Sequence, residues 1–343
     1  MRVAELYEPR HFRLIEQPIA DPAPGQVQVR VDAVGICGSD LHYFAEGAIG
    51  DTECVYPMVL GHEPSGTVVK AGAGVTGWSP GDRAALEPAI YCYHCEFCLT
   101  GHHNVCSNIR FLSMPQEPGF LREYVNLPAQ NLLPLPPELS AAEGTLFEPL
   151  AVVLHSMKFA ALQVGERAVV FGAGPIGLLT IAVLRLAGAG RIWAVEPVAA
   201  RRGLACAMGA DEVIDPSAAD PVHELLRDTG GRGVDVAIDC AARGESMNQA
   251  IGAARNAGRL VVTGIPSTAQ ASLDFHVMRR KELALLNVRR SNHESETALE
   301  LLRECPERFA QILTHEVPLE DVERAFSMLG AYADGVGKVV VRG

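Results

Sequence analysis

The pattern of apolar and polar positions divides the chain into two stretches of different character. In the first stretch, β-branched runs such as VQVRVDAVG and SGTVVKAGAGV are broken by Gly and Pro, which predicts short strands joined by turns. From Arg167 onward, apolar strands such as RAVVF and RIWAVE alternate with Ala- and Leu-rich helices such as GLLTIAVLRLAG. This alternation predicts βαβ units and a parallel, doubly wound sheet in an α/β protein.

The change of pattern predicts two domains, because 343 residues exceed what one hydrophobic core usually organises. We expect a mostly-β domain over residues 1–150 and an α/β domain over residues 151–288. The tail holds two predicted helices, ETALELLRE and LEDVERAFSML, and a last strand, GKVVVRG. It is too short for a third domain, so residues 289–343 are expected to complete the first one.

Charge and composition exclude several classes of partner. The chain has 29 Lys and Arg against 41 Asp and Glu, a formal net charge of −12, which opposes binding to a nucleic-acid backbone. No apolar run reaches the roughly 18 residues of a membrane span, and the N-terminal stretch lacks the pattern of a secretory signal. We expect a cytoplasmic protein without nucleic-acid or membrane partners, whose nine cysteines are thiols or metal ligands.

A glycine motif follows the strand RAVVF directly. Gly172, Gly174 and Gly177 form GxGxxG, and Pro175 and Ile176 open the predicted helix inside it. Glycine is needed here because the backbone turns tightly and must approach a pyrophosphate at the positive end of a helix. The strand before the motif and the helix after it indicate a dinucleotide site.

Glu196 strengthens this interpretation and bears on the choice of cofactor. It ends the next apolar strand, about 20 residues beyond the glycines, where a carboxylate can accept hydrogen bonds from the adenosine ribose. Its charge would repel a 2′-phosphate, which favours NAD over NADP. Arg201 and Arg202 lie nearby and weaken that preference, either as solvated helix residues or as a phosphate clamp.

Four cysteines at short spacing predict a structural metal site. Four thiolates can surround one Zn²⁺ tetrahedrally and leave no open position for a substrate. His94, His102 and His103 lie in the same stretch, YCYHCEFCLTGHHNVC, and are alternative ligands, but a regular cysteine set favours a loop-surface role for them. The cysteines are Cys92, Cys95, Cys98 and Cys106.

A second set of metal-ligating residue types is dispersed along the chain. Cys37 lies in GICGSDLH, His62 and Glu63 lie in VLGHEPSG, and Glu148 lies in LFEPLA. Taken singly each is a weak signal, because a lone Cys is commonly a small buried hydrophobe and a lone His a satisfied polar residue. The evidence that these four residues act together comes from the sequence motifs around them.

These contexts, together with GKVVV at the end of the chain, resemble the zinc-containing medium-chain dehydrogenases over nearly the whole length, most closely the sorbitol (L-iditol) and L-idonate dehydrogenase branch. The resemblance implies a GroES-like, mostly-β catalytic domain and a Rossmann cofactor domain, with NAD, two zinc ions per subunit and a homotetramer or homodimer. The well-known mammalian polyol members lack the four-cysteine lobe that is present here. This departure points to a bacterial-type relative and leaves the substrate more open.

The resemblance also implies roles for the dispersed residues. Cys37 and His62 would hold a catalytic zinc, and Glu63 would lie next to the metal. Glu148 stands where the family places either a third ligand or a carboxylate that reaches the zinc through water. Both glutamates fit, because a catalytic zinc keeps an open site and can exchange a carboxylate for water.

In the implied reaction, zinc acts as a Lewis acid toward a substrate hydroxyl, and hydride passes to the nicotinamide. Ser39 and His42 match the family's relay positions, where a hydroxyl takes the proton and an imidazole hands it to solvent. Tyr43, Phe111 and Arg289 are the implied substrate-binding residues.

The expected function is oxidation of a secondary hydroxyl on a polyol or sugar acid. An enzyme resembling L-threonine 3-dehydrogenase is the nearest alternative, since it shares the metal and cofactor motifs. A noncatalytic NAD-sensing zinc protein is the alternative from another class. It would not require the intact set of metal and relay residues, and a zinc-free reductase would lack the ligands.

Overall fold

The computed structural model of the chain describes residues 1–266 and 268–343. The chain folds into two compact units. The first consists of Met1–Glu148, Ser295–Pro306 and Leu313–Gly343, and the second of Pro149–Glu294 and Glu307–Ile312.

The secondary structure alternates in the manner expected of an α/β protein. Within the described residues, no helix has the length and apolar character needed to cross a membrane. The strands are β1 (Arg2–Glu8), β2 (His11–Glu16), β3 (Gln26–Gly35), β4 (Ala48–Ile49), β5 (Thr52–Glu53), β6 (Glu63–Ala71), β7 (Arg83–Leu86), β8 (Ala89–Ile90), β9 (Arg110–Phe111), β10 (Tyr124–Pro128), β11 (Leu132–Pro134), β12 (Arg167–Phe171), β13 (Arg191–Val195), β14 (Glu212–Ile214), β15 (Val234–Asp239), β16 (Ala254–Val262), β17 (Ala284–Asn287), β18 (Leu313–Pro318) and β19 (Lys338–Arg342). The helices are α1 (Gly38–Glu46), α2 (Glu96–Leu99), α3 (Ala141–Gly144), α4 (Phe147–Ala160), α5 (Pro175–Leu186), α6 (Ala199–Met208), α7 (Pro221–Asp228), α8 (Ser246–Ala253), α9 (Phe275–Lys281), α10 (Ser295–Glu304), α11 (Pro306–Ala310) and α12 (Val322–Ala331).

A seven-stranded sheet forms the centre of the first unit. Its strands run in the order β11-β7-β6-β3-β19-β18, and β10 also pairs with β3. All pairs are antiparallel except β18 with β19. The β-branched residues of β3 and β19 are buried, so burial of apolar area holds the last strand of the chain against the third.

The second unit contains a six-stranded, all-parallel sheet in the order β14-β13-β12-β15-β16-β17. Renumbered within the unit, this is the order 3-2-1-4-5-6 of a Rossmann fold. The strand runs RAVVF and VDVAID are buried almost throughout, as expected of strands covered on both faces. The predicted doubly wound parallel sheet is confirmed.

A buried carboxylate fixes the start of the central strand β15. Asp235 accepts hydrogen bonds from the Arg167 backbone N–H at 2.9 Å, from Arg232 Nη2 at 2.6 Å and from Arg255 Nε at 2.6 Å. Burial alone would raise the pKa of Asp235, but these donors hold it well below its usual value. The charged form of Asp235 therefore stabilises the fold.

We expect Asp235→Asn to destabilise the second unit by about 1–3 kcal/mol at neutral pH, since it leaves two partly exposed guanidinium groups without their carboxylate. A lowered folded-state pKa stabilises the fold above the unfolded value of about 4, and that stabilisation is lost as pH falls below it. The difference between wild type and variant should therefore shrink below about pH 4. Denaturant unfolding followed by fluorescence of the buried Trp193 measures it. A difference that stays constant with pH would contradict this assignment.

Candidate metal centres and cofactor site

The strand β3 and the helix α1 place Cys37 at the end of the main sheet. Cys37 is the residue just before α1. Its backbone N–H donates to Oδ2 of Asp40, the third residue of the helix, at 3.2 Å, so the Asp40 side chain satisfies this N–H at the helix start. Glu63 opens β6 and pairs with Gly35 of β3. This register brings Cys37 beside His62 and Glu63.

The ligand atoms of Cys37, His62 and Glu63 lie within 4.8 Å of one another. Sulfur, imidazole nitrogen and carboxylate oxygen are a donor set that suits Zn²⁺. Glu63 is fully buried, and its Oε1 atom makes no hydrogen bond within the described part of the chain. Buried polar atoms without hydrogen bonds are rare, so this set fits a metal.

Asp40 lies behind His62 and was not among the predicted site residues. Its Oδ1 is 3.2 Å from His62 Nδ1 and accepts hydrogen bonds from the Gly61 N–H at 3.3 Å and from Ser113 Oγ at 2.9 Å. Burial would raise the pKa of Asp40, but the charge of His62 and these donors bring it below its usual value. With Nδ1 facing Asp40, the Nε2 atom of His62 is left for a metal. The one sequence feature that could have indicated Asp40 is the spacing Cys-x-x-Asp at the start of a helix.

Glu63 also forms a buried ion pair with Lys338 of β19. The close approach explains Gly35, since a Cβ atom there would lie 2.2 Å from Glu63 Oε2 and 3.0 Å from Lys338 Cε. A buried charge is tolerated only when it is paired, so Lys338 balances Glu63 whether or not the carboxylate binds a metal. From the sequence, Lys338 is predicted only as part of the last strand, GKVVVRG.

Glu148 lies in the first turn of α4 and is 8% exposed. Burial raises its pKa to about 8, His62 and Lys338 act in the opposite sense, and Glu63 and Glu87 add to the rise. It therefore shares an electrostatic environment with the metal set. Among the described residues, however, it is not a member of the group whose ligand atoms converge.

The two predicted relay residues lie on α1. Ser39 Oγ is 3.4 Å from His62 Nε2, next to the candidate metal position. His42 is only 6% exposed, and its Nδ1 lies 3.3 Å from Glu46 Oε2 one turn later. The Glu46 side chain is 48% exposed. His42 is thus shielded from water, and Glu46 is the group that reaches it.

The predicted substrate-binding residues occupy different surroundings. The Phe111 ring centroid is 5.5 Å from that of His62, so Phe111 covers one side of the His62 imidazole. Tyr43 is buried, and its hydroxyl donates to Met114 Sδ at 3.6 Å. Arg289 belongs to the second unit, where it is exposed just after β17.

The four-cysteine lobe (residues 91–106) brings its sulfur atoms together. The Cys92–Cys106, Cys95–Cys106 and Cys92–Cys98 sulfur pairs are 3.4, 3.8 and 3.9 Å apart. Sulfur ligands of a tetrahedral zinc lie about 3.8 Å apart for Zn–S bonds of about 2.3 Å. The donors and their spacing therefore fit zinc.

The three histidines of the lobe make other contacts. His94 Nδ1 lies 2.6 Å from the Cys92 carbonyl oxygen, and His102 Nδ1 lies 3.2 Å from Thr100 Oγ1. His103 packs against Tyr91 and Tyr93. None of the three joins the converging cysteine group within the described ranges.

The glycine motif forms the turn from β12 into α5. Gly172 has a φ of +88°, and a Cβ atom at Gly177 would lie 1.9 Å from the Gly172 carbonyl oxygen, so a side chain fits at neither position. Gly174 immediately precedes α5, whose first residues are Pro175 and Ile176. This turn leaves the positive end of α5 open to an anionic group.

Glu196, at the carboxyl end of β13, is tied to the glycine turn. Its Oε2 accepts a hydrogen bond from the Ala173 N–H at 2.7 Å and its Oε1 from the Val198 N–H at 2.9 Å. Arg201 is 8% exposed, and its Nη1 lies 3.9 Å from the Cβ position of Gly174, so it is not a solvated surface residue. Arg202 instead donates to the carbonyl oxygens of residues 196 and 197 and pairs with Asp215.

Two family models match the chain. The alcohol dehydrogenase GroES-like domain covers residues 23–137, and the zinc-binding dehydrogenase domain covers residues 175–304. The sorbitol dehydrogenase of Bacillus subtilis is 30% identical and covers 99% of this chain and 97% of its own length. The sorbitol dehydrogenase of Gallus gallus is 36% identical, over 92% of this chain and 89% of the relative.

Solved structures agree in fold over the full chain. A structure described as a zinc-binding dehydrogenase from Sinorhizobium meliloti, bound to NADP, has a TM-score of 0.90 and 30% identity, covering 100% of this chain and 99% of that one. L-idonate 5-dehydrogenase from Escherichia coli has a TM-score of 0.90 and 27% identity, with 100% and 98% covered. With its metal-binding side chains and glycine turn, the chain belongs to the zinc-containing medium-chain dehydrogenases, in the sorbitol dehydrogenase branch, and uses zinc and a nicotinamide cofactor.

Proposed function

We propose that the chain oxidises a secondary hydroxyl of a polyol or sugar acid with NAD. The observation that carries this proposal is the convergence of Cys37, His62 and Glu63, with Asp40 behind the imidazole and Ser39 in front of it. A protein that only senses NAD does not need a set of metal ligands, a carboxylate that orients one of them and a hydroxyl next to them.

The catalytic zinc would be held by Cys37, His62 and Glu63, with Glu148 outside the direct ligand set. The metal and the nicotinamide supply a Lewis acid and a hydride acceptor when they are bound. Lys338 supports this choice of glutamate, because it forms an ion pair with Glu63 in a fully buried position. Cys92, Cys95, Cys98 and Cys106 would hold the second, structural zinc.

The proton of the substrate hydroxyl would leave along α1. The Ser39 hydroxyl accepts it, and the imidazole of His42 takes it onward. His42 is buried, so the proton reaches water through Glu46, whose carboxylate lies 3.3 Å from His42 Nδ1 and is half exposed. This revises the simpler expectation that His42 hands the proton to solvent directly.

The substrate class is supported by the names of similar proteins, two sorbitol dehydrogenases and an L-idonate 5-dehydrogenase. A polyol needs several neutral hydrogen-bonding partners and a sugar acid needs a cation in addition. Tyr43, Phe111 and Arg289 are proposed to contact it. Phe111 packs against His62, which suits a residue that shields one side of the reacting carbon.

NAD is the proposed cofactor, bound with its pyrophosphate at the glycine turn before α5. Glu196 supports NAD over NADP, because its carboxylate already lies against that turn and would repel a 2′-phosphate. Arg201 is proposed to contact the cofactor as well, since it is buried beside Gly174. A similar structure is bound to NADP, so the preference has to be measured.

A homodimer or homotetramer is proposed for the assembly. Strand β17 ends the parallel sheet, and an edge strand presents main-chain groups that can pair with a second copy.

The function is tested by following NAD reduction by the purified, zinc-analysed protein over polyols, sugar acids, L-threonine and simple alcohols. We expect oxidation of a polyol or a sugar acid that a chelator abolishes. Activity on L-threonine alone would identify the related amino-acid dehydrogenase. Full zinc content without activity on any substrate would favour the sensor.

The proton path is tested with Ser39→Ala and His42→Ala. Each should lower kcat by about 10² or more, since a positioned acid or base contributes 10²–10⁴-fold, while zinc content stays at the wild-type level. His11→Ala, which removes an exposed histidine of the same unit, is the matched control. Wild-type turnover in both α1 variants would remove the relay assignment.

The cofactor preference is tested with Glu196→Gln, which keeps the shape of the side chain and removes its charge. We expect the ratio of kcat/KM for NAD to that for NADP to fall at least about tenfold, because a charged hydrogen-bond partner of the ribose contributes about 1.5–3 kcal/mol. Glu212→Gln on β14 changes the net charge equally at a partly exposed position, where the carboxylate pairs with Arg191. An equal ratio in both variants would contradict the role of Glu196.

A further inference from the structure

Ser113 has a backbone conformation that serine does not favour. Its φ is +79°, in the left-handed region that glycine adopts without steric cost. The residue is 3% exposed and follows β9 by two positions. A strained non-glycine residue that persists at a buried position calls for an explanation in terms of what its side chain does.

The hydroxyl supplies that explanation. Ser113 Oγ donates to Asp40 Oδ1 at 2.9 Å, the same oxygen that lies 3.2 Å from His62 Nδ1. Glycine at this position would relieve the backbone strain but could not donate this hydrogen bond. We propose that Ser113 is a positioning residue, which orients the metal ligand His62 by fixing the carboxylate of Asp40. This inference rests on the proposed zinc site.

The four-cysteine lobe holds Ser113 in place. Strand β9 leaves the lobe and pairs with β8, which enters it, with Ala89 opposite Phe111. Two more backbone hydrogen bonds follow, from Leu112 N–H to the Pro88 carbonyl at 3.0 Å and from Ser113 N–H to the Glu117 carbonyl at 2.8 Å. The base of the lobe thus fixes the one segment that carries both the Phe111 ring and the Ser113 hydroxyl toward His62.

Other donors do not make the Ser113 hydroxyl redundant. Asp40 Oδ2 is used by the Cys37 N–H at 3.2 Å, and the Gly61 N–H reaches Oδ1 at the longer distance of 3.3 Å. Ser113 makes the shortest of the three hydrogen bonds to this carboxylate. The three donors, Cys37, Gly61 and Ser113, belong to three separate segments of the chain. Loss of the hydroxyl therefore leaves only the longer hydrogen bond from the Gly61 N–H to hold Oδ1 in place beside His62.

The test is Ser113→Gly, read out by the rate at which a chelator removes the catalytic zinc and by the visible spectrum after cobalt substitution at that site. Partners behind a metal-binding histidine typically change metal affinity about 10–100-fold, so we expect zinc loss to accelerate by a factor in that range. Relief of the backbone strain and loss of a hydrogen bond to a buried carboxylate act on thermal stability in opposite directions, so zinc release and the cobalt spectrum are the deciding readouts. A purely structural serine would leave both the rate of zinc release and the cobalt spectrum unchanged.

Ala257→Gly is the matched control, since Ala257 also has a positive φ, of +53°, and lies in the second unit. It should leave zinc release unchanged. Asp40→Asn completes a double-mutant cycle, in which Ser113→Gly should add little to the zinc loss that Asp40→Asn already causes. Fully additive effects would show that Ser113 does not act through Asp40 and would overturn the proposal.

The outcomes also separate this inference from the function on which it rests. If the wild-type protein binds no zinc at Cys37, His62 and Glu63, the proposed metal site itself is wrong. If it binds zinc there and Ser113→Gly releases it at the wild-type rate, the site stands and the positioning role of Ser113 is wrong.

Discussion

The carboxylate of Asp40 is the point where the segments that build the catalytic site meet. It is 1% exposed, and it accepts hydrogen bonds from the segments that carry Cys37, Gly61 and Ser113 while facing the imidazole of His62. A buried carboxylate is costly unless its oxygens are satisfied, so the three segments can adopt only arrangements that keep these donors in place. The same constraint leaves His62 one orientation, with Nδ1 facing Asp40 and Nε2 available to a metal.

A second buried carboxylate, that of Glu63, is balanced by a buried lysine. Glu63 and Lys338 are both almost fully buried, and they join the start of β6 to the last strand of the chain. Because the pair lies against Gly35, the neighbouring strand can carry no side chain at that position. The central sheet therefore does more than support the site. Its closing strand carries the lysine that pairs with the buried carboxylate of Glu63.

Local signals predicted much of the fold and of the site. The glycine turn before α5 was predictable because its requirements, a positive φ at Gly172 and space beside Gly177, are met within a few residues. Asp40, Ser113 and Lys338 were not predicted, because each acts on a residue far away in sequence. His42 was predicted from its motif, but its burial, and hence the use of Glu46, depends on how α1 packs. The roles of Tyr43, Phe111 and Arg289 stay predictions.

The most direct test of the account is the zinc content per chain of the wild-type protein and of two matched cysteine variants, measured by elemental analysis after gel filtration. Two separate ligand groups predict two zinc ions in the wild type. Cys37→Ser should lose the catalytic ion alone, and Cys95→Ser should lose the structural ion. Two ions retained in Cys37→Ser, or one ion in the wild type, would contradict the claim that Cys37, His62 and Glu63 form a metal centre.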